Sequence, residues 1–319
     1  MRSAGYTIDE ADIALFASVS LDFSPLHIDT AYAARSLFGK RVGHGLLGMC
    51  VAEGLLNHQR RVNMIAFAWE WNFLEPFFIG DTISVEATLS EIGEETDLRI
   101  LKEVVTVFNQ KDEVLQRGQH LLAKPQNGAG NCWAEKALRG PAPGFKEFVA
   151  SEAGEIPTST TPQKFVDETG VFFEDLLVGD TFHTPSFTVS NYEAGVFAGL
   201  IGELGPWFLS NSAARTAGLR SRVFAPLYGL VLVEGLKHSL APGRGVGTPM
   251  ASLSWRWQQT APIYPGDTLY LEVEVQGKRA SRNKTDRGII AQAISLIADG
   301  RGIVQHGQHV QMFRRRPTN

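Results

Sequence analysis

Two side chains able to take up and release a proton stand near the start of this 319-residue chain: Asp22 and, five residues later, His27. A polar-to-small segment follows and closes on His44-Gly45. An apolar run then opens with Leu46, Leu47, Met49, Cys50, Val51, Leu55 and Leu56. That run predicts a buried helix of about 15 residues starting near Gly45. A helix start offers backbone N–H groups without intrahelical acceptors and a partial positive charge. A carboxylate, an imidazole and such donors are the parts needed to add water to, or remove it from, a carbon next to a carbonyl. An Asp and a His at this spacing are common in loops, so the rest of the chain has to carry the reading.

The length allows one large or two ordinary domains. An apolar fraction of 44% with 20% charged residues predicts a globular protein with a full core. A net charge of −4 gives no basic field to favour nucleic acid. No basic segment leads into a long apolar stretch at the start, so no signal peptide is expected, and no apolar run is long enough for a bilayer span. The two cysteines, Cys50 and Cys132, make neither a disulfide framework nor a metal cluster. The setting expected is cytoplasmic.

The elements that must position Asp22 and His27 occur twice. Shifted by 181 positions, Phe16-Ala17 falls on Phe197-Ala198, Pro25 on Pro206, Arg41-Val42 on Arg222-Val223 and Glu53-Gly54-Leu55 on Glu234-Gly235-Leu236. Further on, Trp69-x-Trp71 matches Trp255-x-Trp257, and Gly80-Asp81-Thr82 matches Gly266-Asp267-Thr268. Gly118-Gln119-His120 then matches Gly307-Gln308-His309. The shared order predicts duplication of one domain-sized unit. Each unit reads as a short extended segment, polar helix-like residues, the buried helix (from Gly45 or Leu227) and then strands of period two, as in Phe67 to Phe73. One apolar helix with several antiparallel strands is an α+β arrangement in which a sheet wraps a central helix. The boundaries expected are 1–123 for the first unit, 124–170 for a linker with one short helix near Trp133 to Leu138, and 171–319 for the second unit.

The copies differ where chemistry would sit. Asp22 corresponds to Glu203, His27 to Phe208, and His44-Gly45 to Ala225-Pro226. Proline has no N–H, so the second copy loses the imidazole and this donor together. A single site in the first half is expected.

The segment DFSPLHID (Asp22 to Asp29), followed by A-x-x-x-x-FG and V-x-HG, resembles the signature of MaoC-like, (R)-specific enoyl-CoA hydratases. FEDLLVGD (Phe173 to Asp180) and the later YPGDTL turn resemble a second such domain with an eroded site. The resemblance implies a tandem, double hotdog fold. It implies that Asp22 and His27 bind and activate one water, and that the Gly45 N–H binds a thioester carbonyl. The substrate implied is an acyl-CoA or an acyl-carrier-protein thioester, so CoA is part of the substrate and no separate cofactor or metal is expected. Which of Asp22 and His27 acts as base stays open, because a coupled pair shares its protons.

Other residues carry weaker expectations. Trp207 and Phe208 put bulk where the first copy has its site, and are candidates for shaping an acyl tunnel. His44 is a candidate substrate contact, though packing beside Gly45 serves as well. Lys40 and Arg41, with Arg60 and Arg61, could meet CoA phosphates or be solvated surface. Asp29 reads as a helix cap. Glu53, Glu234, His120, His309 and the Trp pairs read as structural, and Arg314 to Arg316 as a soluble tail. A hotdog thioesterase and a non-catalytic thioester-binding subunit are the competing functions. The duplicated plan suits a monomeric pseudo-dimer or a homodimer of such pairs.

Overall fold

The computed structural model describes residues 2–58, 64–95, 97–126, 132–139, 172–239 and 249–316. The first half contains β1 (Tyr6–Thr7), α1 (Glu10–Ser20), α2 (Pro25–Ile28), α3 (Thr30–Ala33) and α4 (Gly45–Asn57). Four long strands follow: β2 (Ile65–Phe73), β3 (Thr82–Glu95), β4 (Leu98–Phe108) and β5 (Val114–Pro125), and then the short α5 (Trp133–Leu138). The second half opens with a 3-10 turn at Phe173–Asp175, β6 (Thr181–His183) and β7 (Phe187–Thr188). It continues through α6 (Asn191–Leu200), α7 (Pro206–Leu209), α8 (Asn211–Thr216) and α9 (Leu227–Ser239). Its long strands are β8 (Pro249–Gln259), β9 (Thr268–Ala280), β10 (Arg287–Ala298) and β11 (Gly302–Arg314).

The local chemistry that starts the helices is duplicated as well. Asp9 caps α1 and is answered by Asp12; Ser190 caps α6 and is answered by Glu193. Each reciprocal pair satisfies N–H groups that the first helical turn leaves open. Asp29 caps α3 by accepting from the Tyr32 N–H at 2.9 Å, which is the capping role its position predicts.

All strands pair antiparallel in one 11-stranded sheet, ordered β1-β3-β4-β5-β2-β8-β11-β10-β9-β6, with β7 also on β9. The halves meet where β2 pairs β8, with Trp69 opposite Trp257 and Trp71 opposite Trp255. These four indoles are all but completely buried. At the centre of the seam Glu70 faces Arg256, its own counterpart in the repeat, at 3.4 Å. Helices α4 and α9 are apolar on nearly every side, so both are enclosed rather than half-solvated. Leu47, Met49 and Ala52 of α4 and Leu230, Val231 and Val233 of α9 belong to one core that runs through both halves.

Two expectations needed revision. The short helix expected at Trp133 to Leu138 is present as α5, but β5 runs to Pro125 and α5 buries Ala134, Ala137 and Leu138, so the segment read as linker starts inside the folded body. The Gln259 amide donates to the Leu138 carbonyl at 2.6 Å and ties α5 down. Residues 140–171, the rest of that segment, and Arg60 and Arg61 lie outside the described residues. The arginines near the C-terminus are not a loose tail. Arg315 pairs with Glu174 at 2.7 Å and Arg316 with Asp175 at 2.5 Å, fastening the end of β11 to the 3-10 turn. No helix among the described residues is long and apolar enough to cross a membrane.

Candidate active site

Leu21 ends α1 in the left-handed region, at φ 64°. A branched side chain there stores about 1 kcal/mol or more of strain. The turn delivers Asp22 into the interior, where it is 6% exposed. The Asp22 N–H donates to the Ser20 hydroxyl at 3.1 Å, and the Asp22 carboxylate accepts from the Ser24 N–H at 3.1 Å. Pro25 then starts α2, a position that needs no N–H. One turn of helix carries His27 back over Asp22.

Two carbonyls fix the histidine tautomers. His27 Nδ1 lies 2.7 Å from the Val42 carbonyl and donates to it, which leaves Nε2 as the bare nitrogen. His44 Nε2 lies 3.0 Å from the Asp22 carbonyl and donates to it. His44 Nδ1 is then a buried acceptor with no partner among the described residues. The two rings stack with centroids 3.8 Å apart, and Phe16 covers the other side of His44 at 4.8 Å.

Burial, helped by His27, lowers the His44 pKa to about 3 against the opposing pull of Asp22, so this imidazole is neutral at ordinary pH. Burial pushes the Asp22 carboxyl up, but His44, His27 and His238 together outweigh it and hold the group below its usual value. Asp22 is therefore an ionised, desolvated acceptor.

One ligand atom from each of Asp22, His27 and His44 lies within 4.8 Å of the others. That spacing suits a single water held between a carboxylate and an imidazole, and would also admit a cation.

Gly45 is the first residue of α4, with His44 as its N-cap. Its N–H has no intrahelical acceptor and lies at the positive end of a buried helix. A Cβ at this position would stand 3.0 Å from the Phe73 ring, so the close packing favours glycine. The helix start is held from behind by Gln116. Its amide donates to the Gly45 carbonyl at 2.9 Å and accepts from the Trp71 indole at 2.8 Å. Gln305 does the same for Pro226 and Trp257, at 2.8 and 2.6 Å. This clamp was not recognised in the sequence, although Gln116 and Gln305 stand at the same spacing as the matched Gly-Gln-His triplets.

The structure thus gathers Asp22, His27, His44 and the N-terminus of α4 into one cluster. Trp207 and Phe208 lie elsewhere in kind. They are 5% and 1% exposed, and Trp207 packs edge-on against Trp133 of α5. Arg41 pairs with Glu10 of α1, and Lys40 is exposed with its ammonium 4.0 Å above the Phe78 ring. The buried histidines of the closing strands pack into the sheet. His120 bridges Glu53 at 2.6 Å and Glu103 at 2.5 Å, while His309 stacks on Trp255 at 3.6 Å and meets Lys237 at 2.9 Å.

Residues 1–111 match the family model for the MaoC-like domain. An (R)-specific enoyl-CoA hydratase of Aeromonas caviae is 30% identical over 116 residues, which cover 36% of this chain and 85% of that protein. A 3-hydroxybutyryl-CoA dehydratase of Methylorubrum extorquens is 28% identical over 120 residues, 37% of this chain and 74% of that one. Among solved structures, a MaoC domain protein of Chloroflexus aurantiacus superposes with a TM-score of 0.79 at 18% identity, covering 99% of this chain and 95% of its own. A Mycobacterium tuberculosis protein described as a double hotdog gives 0.73 at 17%, covering 98% and 94%. At these identities the structural matches speak to the fold: this chain is a double hotdog.

Proposed function

The chain belongs to the MaoC-like family, and we propose that its first half interconverts trans-2-enoyl thioesters and (R)-3-hydroxyacyl thioesters, as a hydro-lyase. The observation that carries this reading is the cluster itself: an ionised, buried carboxylate and a tautomer-fixed imidazole beside the N-terminus of a buried helix.

In the hydration direction, one water sits between the Asp22 carboxylate and His27 Nε2. One of the two takes its proton as the oxygen bonds to C3 of the enoyl chain. The π electrons move to C2 and the thioester oxygen, and the Gly45 N–H stabilises the enolate charge that builds there. A proton returned to C2 completes the addition, so the site ends as it began. Dehydration runs the same steps backward. Trp207 and Phe208 are assigned the boundary of the acyl chain on the side of the second half. Lys40 is assigned contact with the CoA phosphates; Arg41, paired with Glu10, is the weaker candidate.

The test follows loss of the conjugated enoyl-thioester absorbance with crotonyl-CoA and longer trans-2-enoyl-CoAs, with chiral analysis of the product. Wild type is expected to consume the signal and give the (R)-alcohol, and chelator-treated protein to do so at the same rate. No consumption of any substrate, or loss of activity on chelation, overturns the reading. The competing function as a binding subunit predicts thioester binding without turnover.

A further inference from the structure

Helix α9 of the second half reaches the site of the first. Its Gly235 lies so close to the end of α1 that a Cβ there would stand 1.7 Å from the Ser20 carbonyl oxygen. Only glycine allows that approach. Position 238 is three residues on and so shares the Gly235 face of the helix, the face turned to the Ser20–Asp22 segment.

The repeat supplies an independent view of the same contact. Gly54 of α4 packs on Ile201 as Gly235 packs on Ser20, and a Cβ there would stand 3.0 Å from the Ile201 carbonyl oxygen. Three residues on, the Asn57 amide lies 3.3 Å from the carboxylate of Glu203 and 3.4 Å from the Ile201 carbonyl. Glu203 is the counterpart of Asp22, and Asn57 the counterpart of His238. By the repeat, the side chain of position 238 lies on the side of the carboxylate of position 22, within electrostatic range of it.

We propose that His238 is a positioning residue for the site, lent by the second half across the interface to orient the Asp22 carboxylate. Its Nε2 lies 3.1 Å from Glu234, leaving Nδ1 as the nitrogen available to Asp22. Only about a fifth of the His238 side chain is exposed, and Glu234 is buried, so the pair is fixed rather than solvated. The groups in electrostatic range of Asp22 are His27 and His44 from its own half and Glu234, Lys237 and His238 from α9. Asn57 fills the same place with an amide, and the carboxylate it meets belongs to the copy without the other site residues.

The kinetic consequence rests on the hydratase reading; the contact does not. The experiment has two arms on the full chain. In the first, Asp22→Asn, His238→Ala and the double variant are compared by thermal unfolding. Non-additive Tm shifts are expected for groups in contact, and additive shifts overturn the proposal whether or not the protein is active. In the second, His238→Ala is expected to lower kcat about tenfold with KM nearly unchanged. His238→Asn, which installs the amide found at the equivalent position, is expected to restore most of that loss, and Asn57→Ala to leave kcat unaltered. An unchanged kcat in His238→Ala, an equal loss in Asn57→Ala, or a rise in KM alone overturns the positioning role. Should wild type hydrate none of the enoyl-CoAs while the Tm shifts are non-additive, the functional reading falls and the assigned contact stands.

Discussion

The same corner of the fold occurs twice in this chain, once lined with ionisable groups and once filled. In the first half it holds Asp22, His27, His44 and the N–H of Gly45; in the second, Glu203, Phe208, Ala225 and Pro226. The framework around both is unchanged: the glutamine clamp, the glycine that lets the opposite helix approach, and the Trp pair on the central strand. Even the backbone turn is kept, but its occupant differs. Leu21 takes φ 64° before Asp22, whereas Gly202 takes φ 59° before Glu203. The left-handed turn costs glycine little and leucine more. Strain, a buried charge and an unpartnered imidazole nitrogen all lie on one side of the pseudo-twofold axis. The other side meets the same geometry with glycine at the turn and the buried rings of Trp207 and Phe208. The difference marks what the fold needs and what the chemistry adds.

Substitutions that erase the difference should have the largest effects. His27→Ala and Asp22→Asn each remove a proton-handling group and are expected to lower kcat by roughly 10² to 10⁴ with the fold retained, read by enoyl-CoA hydration beside circular dichroism. Near-normal rates in either would end its catalytic assignment. Gly45→Pro copies the second half at the helix start, where proline suits the first position. Loss of the donor is expected to reduce kcat by roughly 10² to 10³, and a smaller loss than about tenfold would mean that the carbonyl binds elsewhere.

Two further tests sharpen the comparison on the stability side. Phe208→Ala opens the filled corner and should destabilise the chain by about 3–5 kcal/mol, as for other fully buried aromatic rings. It should also shift the preferred acyl length, and an unchanged chain-length profile would remove Phe208 from the tunnel. The smallest effect concerns pH. His44 in the unfolded chain takes a proton near pH 6.5, but in the folded chain only near 3. Between these values the unfolded state holds more protons, so stability falls as pH falls. The loss from this group should reach about 2 kcal/mol at pH 5. His44→Gln should flatten the decline of Tm between pH 7 and 5 by that amount; an unaltered slope would contradict a neutral, buried His44. Burial also drives His309 below its ordinary value, so part of the slope will remain.

Much of this could be read from the sequence because duplication makes a chain its own reference. The joint loss of His27 and Gly45 in the second copy singled out the candidate site, and the helix starts at Gly45 and Leu227 followed from where the apolar runs begin. The short helices α2, α3, α7 and α8 were not read from the sequence, although α5, as short as α8, was; four to six residues carry little periodicity. Gln116 was hidden for another reason: its task is to hold a backbone carbonyl, and only coordinates reveal which one. The approach of α9 to Asp22 joins residues more than 200 apart, and no local pattern records a contact of that range. The pairing of Arg41 with Glu10 was equally hidden, because a cation beside a site looks the same in sequence whether it meets a ligand or a neighbouring acid.

The seam between β2 and β8 has a consequence for self-recognition. A dimer of identical halves brings a residue at the centre of its symmetric seam against its own twin. In this chain that place is held by Glu70 on one side and Arg256 on the other, an acid facing a base. Two first halves from different molecules would set Glu70 against Glu70, and two second halves would set arginine against arginine, both unfavourable across adjacent strands. The pair gives the two halves complementary addresses. It biases a first half to pair with a second half rather than with another first half.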